Sequence, residues 1–435
     1  MTRVAFATLG CRVNQVDTGE MQAGLEVLGC RAVPLEAAAD VVVINTCTVT
    51  SRADFSDRQL IRRAIRAHPN ARIVVTGCWA QTNPEAVAAI PGVDLVVGMA
   101  DRHRIGALIQ GLALAGGARM EVADTRAGVS MAPAPPTGVR GRSRAFVKIQ
   151  DGCQHRCAFC IVPRARGTSR SREPKVVLDQ VQALVEAGHP EIVLTGIDMG
   201  HYGADLLPRT TLAALLRALG EVPGLRWLRL SSVLPAYFTP ELVEAVVSLP
   251  SMVPHLHIPL QSGSDAVLRR MRRPYNSGIY RALIEKLARA IPDLGLGTDL
   301  IAGFPGETGD EFEETVRLVE ALPFSYLHVF AYSDRSGTEA ARLGGHVPAR
   351  AVTERSRRLR ALGRAKSLAF RSRLLGTVRE VLVLGARDRA RGRLGGLTDN
   401  YVAVTFDGPG ALGGRMARVR VTGVHPTATE GALVP

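Results

Sequence analysis

The 435-residue sequence contains few cysteines and few aromatic residues, and it has no long apolar run. Seven cysteines are too few for a disulfide scaffold in a chain of this length. The absence of a basic-then-apolar start and of about 18 consecutive apolar residues argues against a secretory signal and a membrane span. We therefore expect a cytoplasmic protein without a membrane partner, whose thiols stay reduced and available to metal. The length favours about three domains.

Three of the cysteines form a tight group near the middle of the chain. A strand-like segment breaks at Asp151-Gly152, and Cys153, Cys157 and Cys160 come next in a Cys-x3-Cys-x2-Cys spacing that is followed by no fourth nearby Cys or His. A closed structural zinc site needs four protein ligands. A 4Fe-4S cluster held by three thiolates keeps one iron open to a substrate or cofactor. The spacing thus predicts an open cluster, and three unrelated buried thiols are the alternative.

The first 115 residues alternate β-branched runs with helical periodicity, which predicts a small doubly wound parallel sheet. Cys11, Cys47 and Cys78 each follow the carboxyl end of a predicted strand, where an open α/β sheet lines its ligand crevice. They are candidate ligands of a second cluster; a zinc ion completed by a His, or a nucleophilic Cys, is the alternative. Cys30, at the end of the first predicted helix, is interpreted as a packed core thiol. The strands are predicted at 3–8, 31–35, 40–45, 72–76 and 95–97, and the helices near 14–28, 52–67, 83–90 and 101–114.

Residues 116–143 are rich in Ala, Pro and Gly and are predicted to form a linker. Six strand-then-helix units between 144 and 370 then predict a partial (β/α)6 barrel with its site at the C-terminal rim. At that rim, Thr195, Gly196, Ser231 and Gln261 follow or end predicted strands and are candidate contacts for a bound cofactor. Each of them could instead only terminate a strand. After the first strand, the others are predicted near 191–196, 226–231, 255–260, 295–302 and 326–332.

The formal net charge of +14 is concentrated at the end of the chain, where residues 349–435 hold 17 Lys and Arg against 6 Asp and Glu. This asymmetry predicts a polyanionic partner, and a solvated basic helix near 349–370 is the alternative. Short alternating strands and Gly-rich turns over 371–435 predict a small β-barrel of an RNA-binding kind, or else a protein-binding cap. The candidate RNA contacts in it are Arg387, Arg389, Arg391 and Arg393.

Several segments resemble the radical S-adenosylmethionine (SAM) methylthiotransferase family over essentially the whole chain. They are TLGCRVNQ at 8–15, NTCTVTSRAD at 45–54, GCWAQ at 77–81, and the central three-cysteine motif with Phe159 before Cys160. The segment GLTDNYV at 396–402 resembles a TRAM domain, an RNA-binding module. The resemblance implies two 4Fe-4S clusters with three Cys ligands each, SAM as methyl donor and radical source, and SAM contacts at Phe159 and the four rim residues. It also implies a tRNA substrate and an electron donor such as flavodoxin or ferredoxin. We expect a monomer.

Segments 45–50, 146–153, 166–172 and 324–329 resemble the bacterial branch that acts on N6-threonylcarbamoyladenosine beside the anticodon. Residues 14–20 depart from the usual pattern, because they lack a Glu-Ser pair after Asn-Gln. The alternatives are the isopentenyladenosine branch, the ribosomal-protein-aspartate branch, or a non-catalytic RNA-binding iron–sulfur protein.

The family mechanism implies that an adenosyl radical made at the barrel cluster takes hydrogen from adenine C2. The cluster of Cys11, Cys47 and Cys78 then presents methylated sulfur to the substrate radical, and a second SAM supplies the methyl group. Arg166, Arg170 and Arg172 are the nearest cations able to bind the threonyl carboxylate in a fork.

Overall fold

The computed structural model describes residues 1–111, 118–125, 131, 143–387 and 392–435. A parallel sheet with helices on both faces comes first, a partial barrel with outer helices comes second, and a closed five-stranded barrel comes last. This architecture confirms the predicted α/β class with a small C-terminal β-barrel. In the part of the chain that is described, no helix combines the length and the apolar character needed to cross a membrane.

The first part is a six-stranded parallel sheet in the order β2-β1-β3-β4-β5-β6. Helices α1 and α5 cover one face of this sheet, and α2 and α4 cover the other, so every residue of β3 is buried. The strands are β1 (Arg3–Thr8), β2 (Arg31–Val33), β3 (Val41–Thr46), β4 (Arg72–Gly77), β5 (Leu95–Val97) and β6 (Arg119–Glu121). The helices are α1 (Arg12–Val27), α2 (Ser51–Ala67), α3 (Cys78–Thr82), α4 (Pro84–Ala88) and α5 (Ile105–Gln110), with a 3-10 turn at Arg102–Arg104.

The sheet is longer than the sequence predicts. Strand β6 pairs with β5, with Arg119 opposite Leu95, so the first part extends beyond residue 115 into the predicted linker. Most of that linker, 126–130 and 132–142, lies outside the described residues. A three-residue edge strand has too little periodicity to be recognised in a sequence.

The second part is built around six parallel strands, as predicted. Strands β7, β10 and β11 form one ladder and β12, β13 and β14 another, and the bridges Leu228–Met252 and Ser232–His257 connect the two. The strands are β7 (Arg144–Lys148), β8 (Gln150–Asp151), β9 (Arg170–Ser171), β10 (Glu191–Thr195), β11 (Trp227–Leu230), β12 (His255–His257), β13 (Gly295–Ala302) and β14 (Tyr326–Ala331). Strands β8 and β9 form a separate short antiparallel ladder. Among the described strands no pairing joins β7 to β14, so the barrel is open along that side.

The outer helices of the second part pack their apolar faces against these strands in the largest core of the molecule. Leu, Ile and Val recur at helical spacing on the buried faces of these helices. This pattern is why the sequence predicts strands alternating with helices. The helices are α6 (Val162–Arg166), α7 (Pro174–Glu186), α8 (Leu212–Gly220), α9 (Pro240–Ser248), α10 (Asp265–Arg270), α11 (Ser277–Ala290), α12 (Gly309–Ala321) and α13 (Ala349–Ser372). Short 3-10 turns lie at Met199–His201, Pro235–Tyr237 and Ala340–Arg342.

The third part is a closed barrel in the order β15-β16-β17-β19-β18. Residues 394–407 form a hairpin of two strands, and Tyr401 turns the chain at φ 72° between them. The strands are β15 (Val378–Arg387), β16 (Leu394–Thr398), β17 (Ala403–Asp407), β18 (Met416–Val424) and β19 (Thr429–Val434), with a 3-10 turn at Gly410–Leu412.

This closed barrel docks on the amino end of the partial barrel. Arg229, on β11, donates to the carbonyl of Asp399 at 2.9 Å. A Cβ on Gly295 would lie 2.1 Å from the carbonyl oxygen of Asn400, so only glycine permits this approach. Tyr401 stacks on the ring of His255 with centroids 4.3 Å apart. The third part therefore closes one end of the second.

Candidate active site and metal centres

The loop that carries Cys153, Cys157 and Cys160 follows β8 at the carboxyl end of the barrel strands. Gly152 turns the chain at φ 74°, and a Cβ there would lie 2.0 Å from the carbonyl oxygen of Thr168. Only glycine makes this turn without displacing the backbone. The turn places three half-buried thiols on one loop, as their spacing predicts.

The surroundings of these thiols suit a cationic core. Burial raises the pKa of Cys160 to about 11, and burial followed by the Asp198 carboxylate raises the pKa of Cys153. Arg273 donates from Nη1 to the Sγ of Cys157 at 3.1 Å. Metal binds thiolates, so metal binding at this loop releases the protons that the thiols hold firmly. Three thiols with a single cationic donor fit a 4Fe-4S cluster held at three corners.

Cys11, Cys47 and Cys78 follow the carboxyl ends of the neighbouring strands β1, β3 and β4. Strands β1 and β3 are adjacent although β2 separates them in the sequence, which makes this edge the switch point where open α/β sheets bind ligands. A Cβ on Gly10 would lie 2.9 Å from the Sγ of Cys47. Burial, with a smaller contribution from the nearby Cys78 and Cys11, raises the pKa of Cys47 to about 12. The structure therefore brings the three thiols together.

Asn14, on α1, holds the loops of this second triplet in place. Its Nδ2 donates to the carbonyls of Leu9 at 2.8 Å and Thr46 at 2.9 Å, so it bridges the residues before Cys11 and Cys47. Sequence reasoning gave Asn14 no role, because its partners are set by the packing of three loops. Cys30 is half-buried and packs against the core on the α1 face, which is consistent with its interpretation as a packed thiol.

A buried ionic cluster joins the two cysteine-bearing parts. Arg166 donates to Asn14 Oδ1 at 2.5 Å, to Asp17 Oδ2 at 2.8 Å and to Asp151 Oδ1 at 2.7 Å. Burial opposes ionisation of Asp17, yet Arg102 and the other surrounding cations hold its pKa well below the usual range. Asp151 lies two residues before the first barrel cysteine, and Asn14 lies beside the other triplet. One guanidinium thus connects the two candidate metal centres.

Two of the arginines predicted to bind a substrate carboxylate belong to this boundary, which corrects that assignment. Arg166 is 1% exposed and Arg172 is 3% exposed. Arg172 pairs with Glu20 at 2.9 Å, and Lys148 pairs with the same carboxylate at 2.9 Å. Acidic residues of α1 balance both charges, Asp17 that of Arg166 and Glu20 that of Arg172. These ion pairs join residues about 150 positions apart in the sequence, so the sequence could not predict them. Arg170 has a buried Nε without a hydrogen-bond partner among the described residues, and of the three arginines it alone lines the cavity of about 460 Å³ beside α1 and α5.

The predicted RNA contacts of the third part are only partly described. Arg393 lies 3.1 Å from Glu430 and 3.6 Å from Asp407, so its charge is balanced within the closed barrel. Arg387 is the last residue of β15, and nothing is described of its side chain. Arg389 and Arg391 lie outside the described residues.

The residues predicted to contact a cofactor lie around the carboxyl rim. Phe159 packs against an apolar cluster beside the cysteine loop. Thr195, the last residue of β10, is buried. A Cβ on the following Gly196 would lie 2.8 Å from the Cγ of Met199. Ser231 is half-buried directly after β11. Gln261 follows β12 with a φ of 70°, a left-handed backbone conformation that is uncommon for residues other than glycine.

A further rim group was missed by sequence reasoning. Asp198 is buried, with its Oδ2 3.7 Å from the Sγ of Cys153. Tyr237 donates its hydroxyl to the same carboxylate at 3.1 Å, and the hydroxyl lies 2.9 Å from Nε2 of His155. Gln150 accepts the backbone N–H of Asp198 at 2.7 Å and fixes the turn. The available signal was the position of Asp198 just after β10, beside residues that were selected.

Comparison with protein-family models gives two matches. The model of the Radical SAM superfamily matches residues 147–319, which hold the barrel strands and the central cysteines. The model of the Uncharacterized protein family UPF0004 matches residues 3–98, the part that holds the other triplet. The two matches fall on the two parts that carry the cysteine triplets.

Curated relatives match the whole chain. The sequence is 40% identical over 436 residues to threonylcarbamoyladenosine tRNA methylthiotransferase MtaB of Bacillus subtilis, covering 100% of this chain and 97% of the relative. It is 36% identical to MtaB of Aquifex aeolicus, covering 96% and 100%. It is 37% identical to the tRNA-2-methylthio-N(6)-dimethylallyladenosine synthase of Acidothermus cellulolyticus, covering 96% and 85%.

Among solved structures, the radical SAM methyltransferase TsrM from Kitasatospora setae superimposes with a TM-score of 0.57. The identity is 17%, and the match covers 76% of this chain and 73% of that one. At this identity the likeness is one of fold alone.

Proposed function

Because the chain belongs to the radical SAM tRNA methylthiotransferase family, we propose that it converts N6-threonylcarbamoyladenosine beside the anticodon of tRNA to its 2-methylthio derivative. The observation that carries the proposal is the 40% identity to the Bacillus subtilis enzyme over nearly the full length of both chains. The two cysteine triplets at strand ends supply the chemistry that such a reaction needs. The protein is thus an enzyme that acts on a modified adenosine.

The family implies a 4Fe-4S cluster and SAM, and we assign the cluster to Cys153, Cys157 and Cys160. We propose Cys11, Cys47 and Cys78 as ligands of a second 4Fe-4S cluster. When bound, the first cluster supplies the electron that cleaves SAM, and the second supplies the site of sulfur transfer. These cysteines bind metal as thiolates, so the metal displaces the protons that burial favours on thiols such as Cys47 and Cys160.

The other rim residues bind and orient SAM in this proposal. Gly196 leaves room for close approach, and Gln261 and Ser231 offer hydrogen-bonding groups from neighbouring strand ends. Phe159 shields the loop from water on its apolar side. Arg273 compensates the charge of Cys157 through its N–H donor.

Fixed placement of the two centres supports a reaction that uses both. Besides the ionic cluster around Arg166, the first part contacts the rim through Arg335, which pairs with Asp54 at 2.6 Å. Ser51, at the start of α2, donates its backbone N–H to the hydroxyl of Ser333 at 3.0 Å. These contacts hold the loop of Cys47 over the barrel mouth.

We propose that the closed barrel of residues 371–435 is a TRAM-like module that contacts the tRNA backbone, with Arg387, Arg389 and Arg391 as its cationic contacts. Binding through phosphates gives an affinity that falls steeply with salt. Replacing these three arginines by Gln should weaken binding to different tRNAs alike and reduce the salt slope by roughly one unit per lost contact. A monomeric enzyme in the cytoplasm, reduced by a flavodoxin or ferredoxin, stays a prediction.

One alternative substrate has a specific observation in its favour. The relatives that make the dimethylallyladenosine derivative are 37% identical to this chain, close to the value for the threonylcarbamoyl enzymes. The two substrates differ in the N6 group, which is apolar in one and carries a carboxylate in the other.

Mass spectrometry of tRNA nucleosides separates the two. A strain without the gene should accumulate N6-threonylcarbamoyladenosine, and the complemented strain should restore its 2-methylthio form. Complementation with Cys47→Ala should restore nothing, while Cys30→Ala should restore the product because Cys30 lies in the core away from both triplets. Loss of only the dimethylallyl derivative in the deletion strain would contradict the proposal.

A further inference from the structure

The partial barrel encloses a lumen that is sealed at its amino end and open along the side between β7 and β14. Tyr401 of the closed barrel forms the floor, stacked on His255. The guanidinium carbons of Arg229 and Arg144 lie 5.2 and 5.9 Å from the centre of the Tyr401 ring. Tyr326 also packs against this ring, with centroids 5.8 Å apart. A substrate group therefore enters from the rim or from the open side.

Three polar side chains form one layer above this floor. His257 on β12 lies with Nε2 3.0 Å from Asp299 Oδ1, and His328 on β14 lies with Nδ1 3.2 Å from the same oxygen. An ionised carboxylate only accepts hydrogen bonds, so both imidazoles donate to it. The Nδ1 of His257 then accepts from the hydroxyl of Tyr326, 3.0 Å away. The hydrogen bonds fix the orientation of both rings.

Asp299 is held in its ionised form at this layer. Burial opposes ionisation, but the hydrogen bonds from His257 and His328 outweigh it and hold the pKa of Asp299 well below the usual range. The layer therefore places a fixed negative charge against the Nδ1 side of the His328 ring.

His328 is the member of the layer that faces open space. Its side chain is 55% exposed, whereas that of His257 is 10% exposed. The Nδ1 of His328 is hydrogen-bonded to Asp299. The Nε2 of His328 has no hydrogen-bond partner in the residues that the structure describes. The ring thus presents one oriented nitrogen to the open side of the lumen.

An aromatic surface for a nucleobase lies directly above His328. Phe330, two residues along β14 on the same face, is 45% exposed, which is unusual for a Phe inside a barrel. Phe146 lies on β7, across the open side from β14. The guanidinium carbon of Arg12 lies over the Phe146 ring, 5.2 Å from the ring centre. Strands rise about 3.3 Å per residue, so a base stacked at Phe330 lies roughly 7 Å above the level of His328. An N6 substituent of a few atoms spans that distance.

We propose that His328, oriented by Asp299, binds the carboxylate of the N6-threonylcarbamoyl group and so selects this modified base. The inference rests on the proposed function and adds the residue that reads the substrate. An imidazolium donates one N–H to Asp299 and the other to the substrate carboxylate, which is a charge-assisted pair on each side. An apolar N6 group would leave the imidazole without its partner and would be rejected.

The test uses the full-length reconstituted enzyme and two synthetic anticodon stem-loops. Both carry N6-threonylcarbamoyladenosine, in one with a free threonyl carboxylate and in the other with its methyl ester. Wild type should prefer the free acid by about 10- to 100-fold in kcat/KM, the range expected of a hydrogen bond to a charged group. His328→Gln should lose this preference through a higher KM for the free acid. Binding of each stem-loop, followed by fluorescence anisotropy without SAM, should change in parallel.

Asp299→Asn and His189→Gln complete the series. Asn still accepts a hydrogen bond but carries no charge, so Asp299→Asn should reduce the preference less than His328→Gln does. His189 lies after α7 on the outside of the barrel, and His189→Gln should keep the wild-type preference. The yield of 5′-deoxyadenosine from SAM without RNA, measured for every variant, shows whether the variant is folded and loaded, and His189→Gln should match the wild type.

Retention of the wild-type preference by His328→Gln would overturn the inference. Failure of the proposed function has a different signature, since wild type itself would then leave the free-acid stem-loop unmodified and act on one carrying a dimethylallyl group.

Discussion

At the scale of single residues, Arg273 is the only cation in the described chain seen to donate directly to a barrel cysteine. Hydrogen bonds to a cluster sulfur stabilise the more negative, reduced state and raise the reduction potential. Arg273 is half-buried and also contacts Tyr275, with its Nε 2.9 Å from the hydroxyl. The residue therefore adjusts the centre without being a ligand.

Arg273→Ala should keep the iron of the barrel cluster but lower its reduction potential, on the order of 50 mV for one lost charge-assisted bond. An anaerobic redox titration followed by electron paramagnetic resonance measures this shift. The neighbouring Arg272 is exposed and pairs with Glu339 at 2.5 Å, so Arg272→Ala is the matched control and should not shift the potential. Equal potentials in the two variants would refute the role given to Arg273.

His255 makes a second prediction at this scale, on pH. Burial and, to a smaller extent, the positive charge of Arg229 hold the pKa of His255 well below its usual range. The ring is therefore neutral in the folded protein. The unfolded chain takes up a proton near pH 6.5, and the stability from this group is therefore present above that pH and lost as the pH falls. The free energy of unfolding should drop by up to about 1.4 kcal/mol per pH unit below 6.5.

Anaerobic urea unfolding at pH 7.5 and pH 5.5 measures this dependence. His255→Gln removes the titrating group and should show a smaller difference between the two pH values than wild type. An unchanged difference would mean that other groups cause the acid sensitivity.

At the scale of elements, the cysteine loop depends on one turn. Gly152→Ala should push the backbone away from Thr168, because the added Cβ would lie 2.0 Å from a carbonyl oxygen. We expect loss of iron from the barrel centre and loss of SAM cleavage, measured by iron analysis and 5′-deoxyadenosine yield. Gly188 has a φ of 87° with open space around it, so Gly188→Ala should cost only about 1 kcal/mol and keep the iron. Similar iron loss in both variants would argue against a local effect.

The elements also show what the sequence could predict. The ends of buried parallel strands such as β1 and β13 were predicted to within one residue. Continuous apolar runs between segments of helical periodicity are distinctive in a sequence. Short elements such as α3, β6 and β19 were missed because they mix polar and apolar residues, whereas the equally short β5 was found because all three of its residues are apolar. The cysteine positions were predictable from strand ends. The fates of Arg166 and Arg172 were not, because ion pairs across a domain boundary depend on packing between distant segments.

At the scale of the whole molecule, two cysteine triplets lie in separate parts joined by buried charges. Removing one partner of such a cluster leaves an uncompensated charge, which makes the boundary costly to open. The two centres should therefore keep a fixed separation but load independently, since each triplet belongs to its own part.

Anaerobic reconstitution should give about eight irons per chain, and replacing Cys153, Cys157 and Cys160 by Ala should leave about four. Replacing Cys11, Cys47 and Cys78 by Ala should also leave about four but should preserve 5′-deoxyadenosine formation while abolishing methylthiolation. Iron analysis and mass spectrometry of the stem-loop product check both. Methylthiolated product from the second variant would contradict the division of labour between the centres.

The floor that Tyr401 places under the barrel has a consequence for evolution of substrate range. A blind cavity limits the size of what it holds, so a longer N6 substituent needs a deeper floor as well as a new partner for His328. The depth of the cavity is set by Tyr401, at the tip of the hairpin between β16 and β17. This hairpin belongs to the closed barrel and not to the partial barrel that carries the cysteine loop. Changes in this tip could therefore alter which bases fit without touching either metal centre.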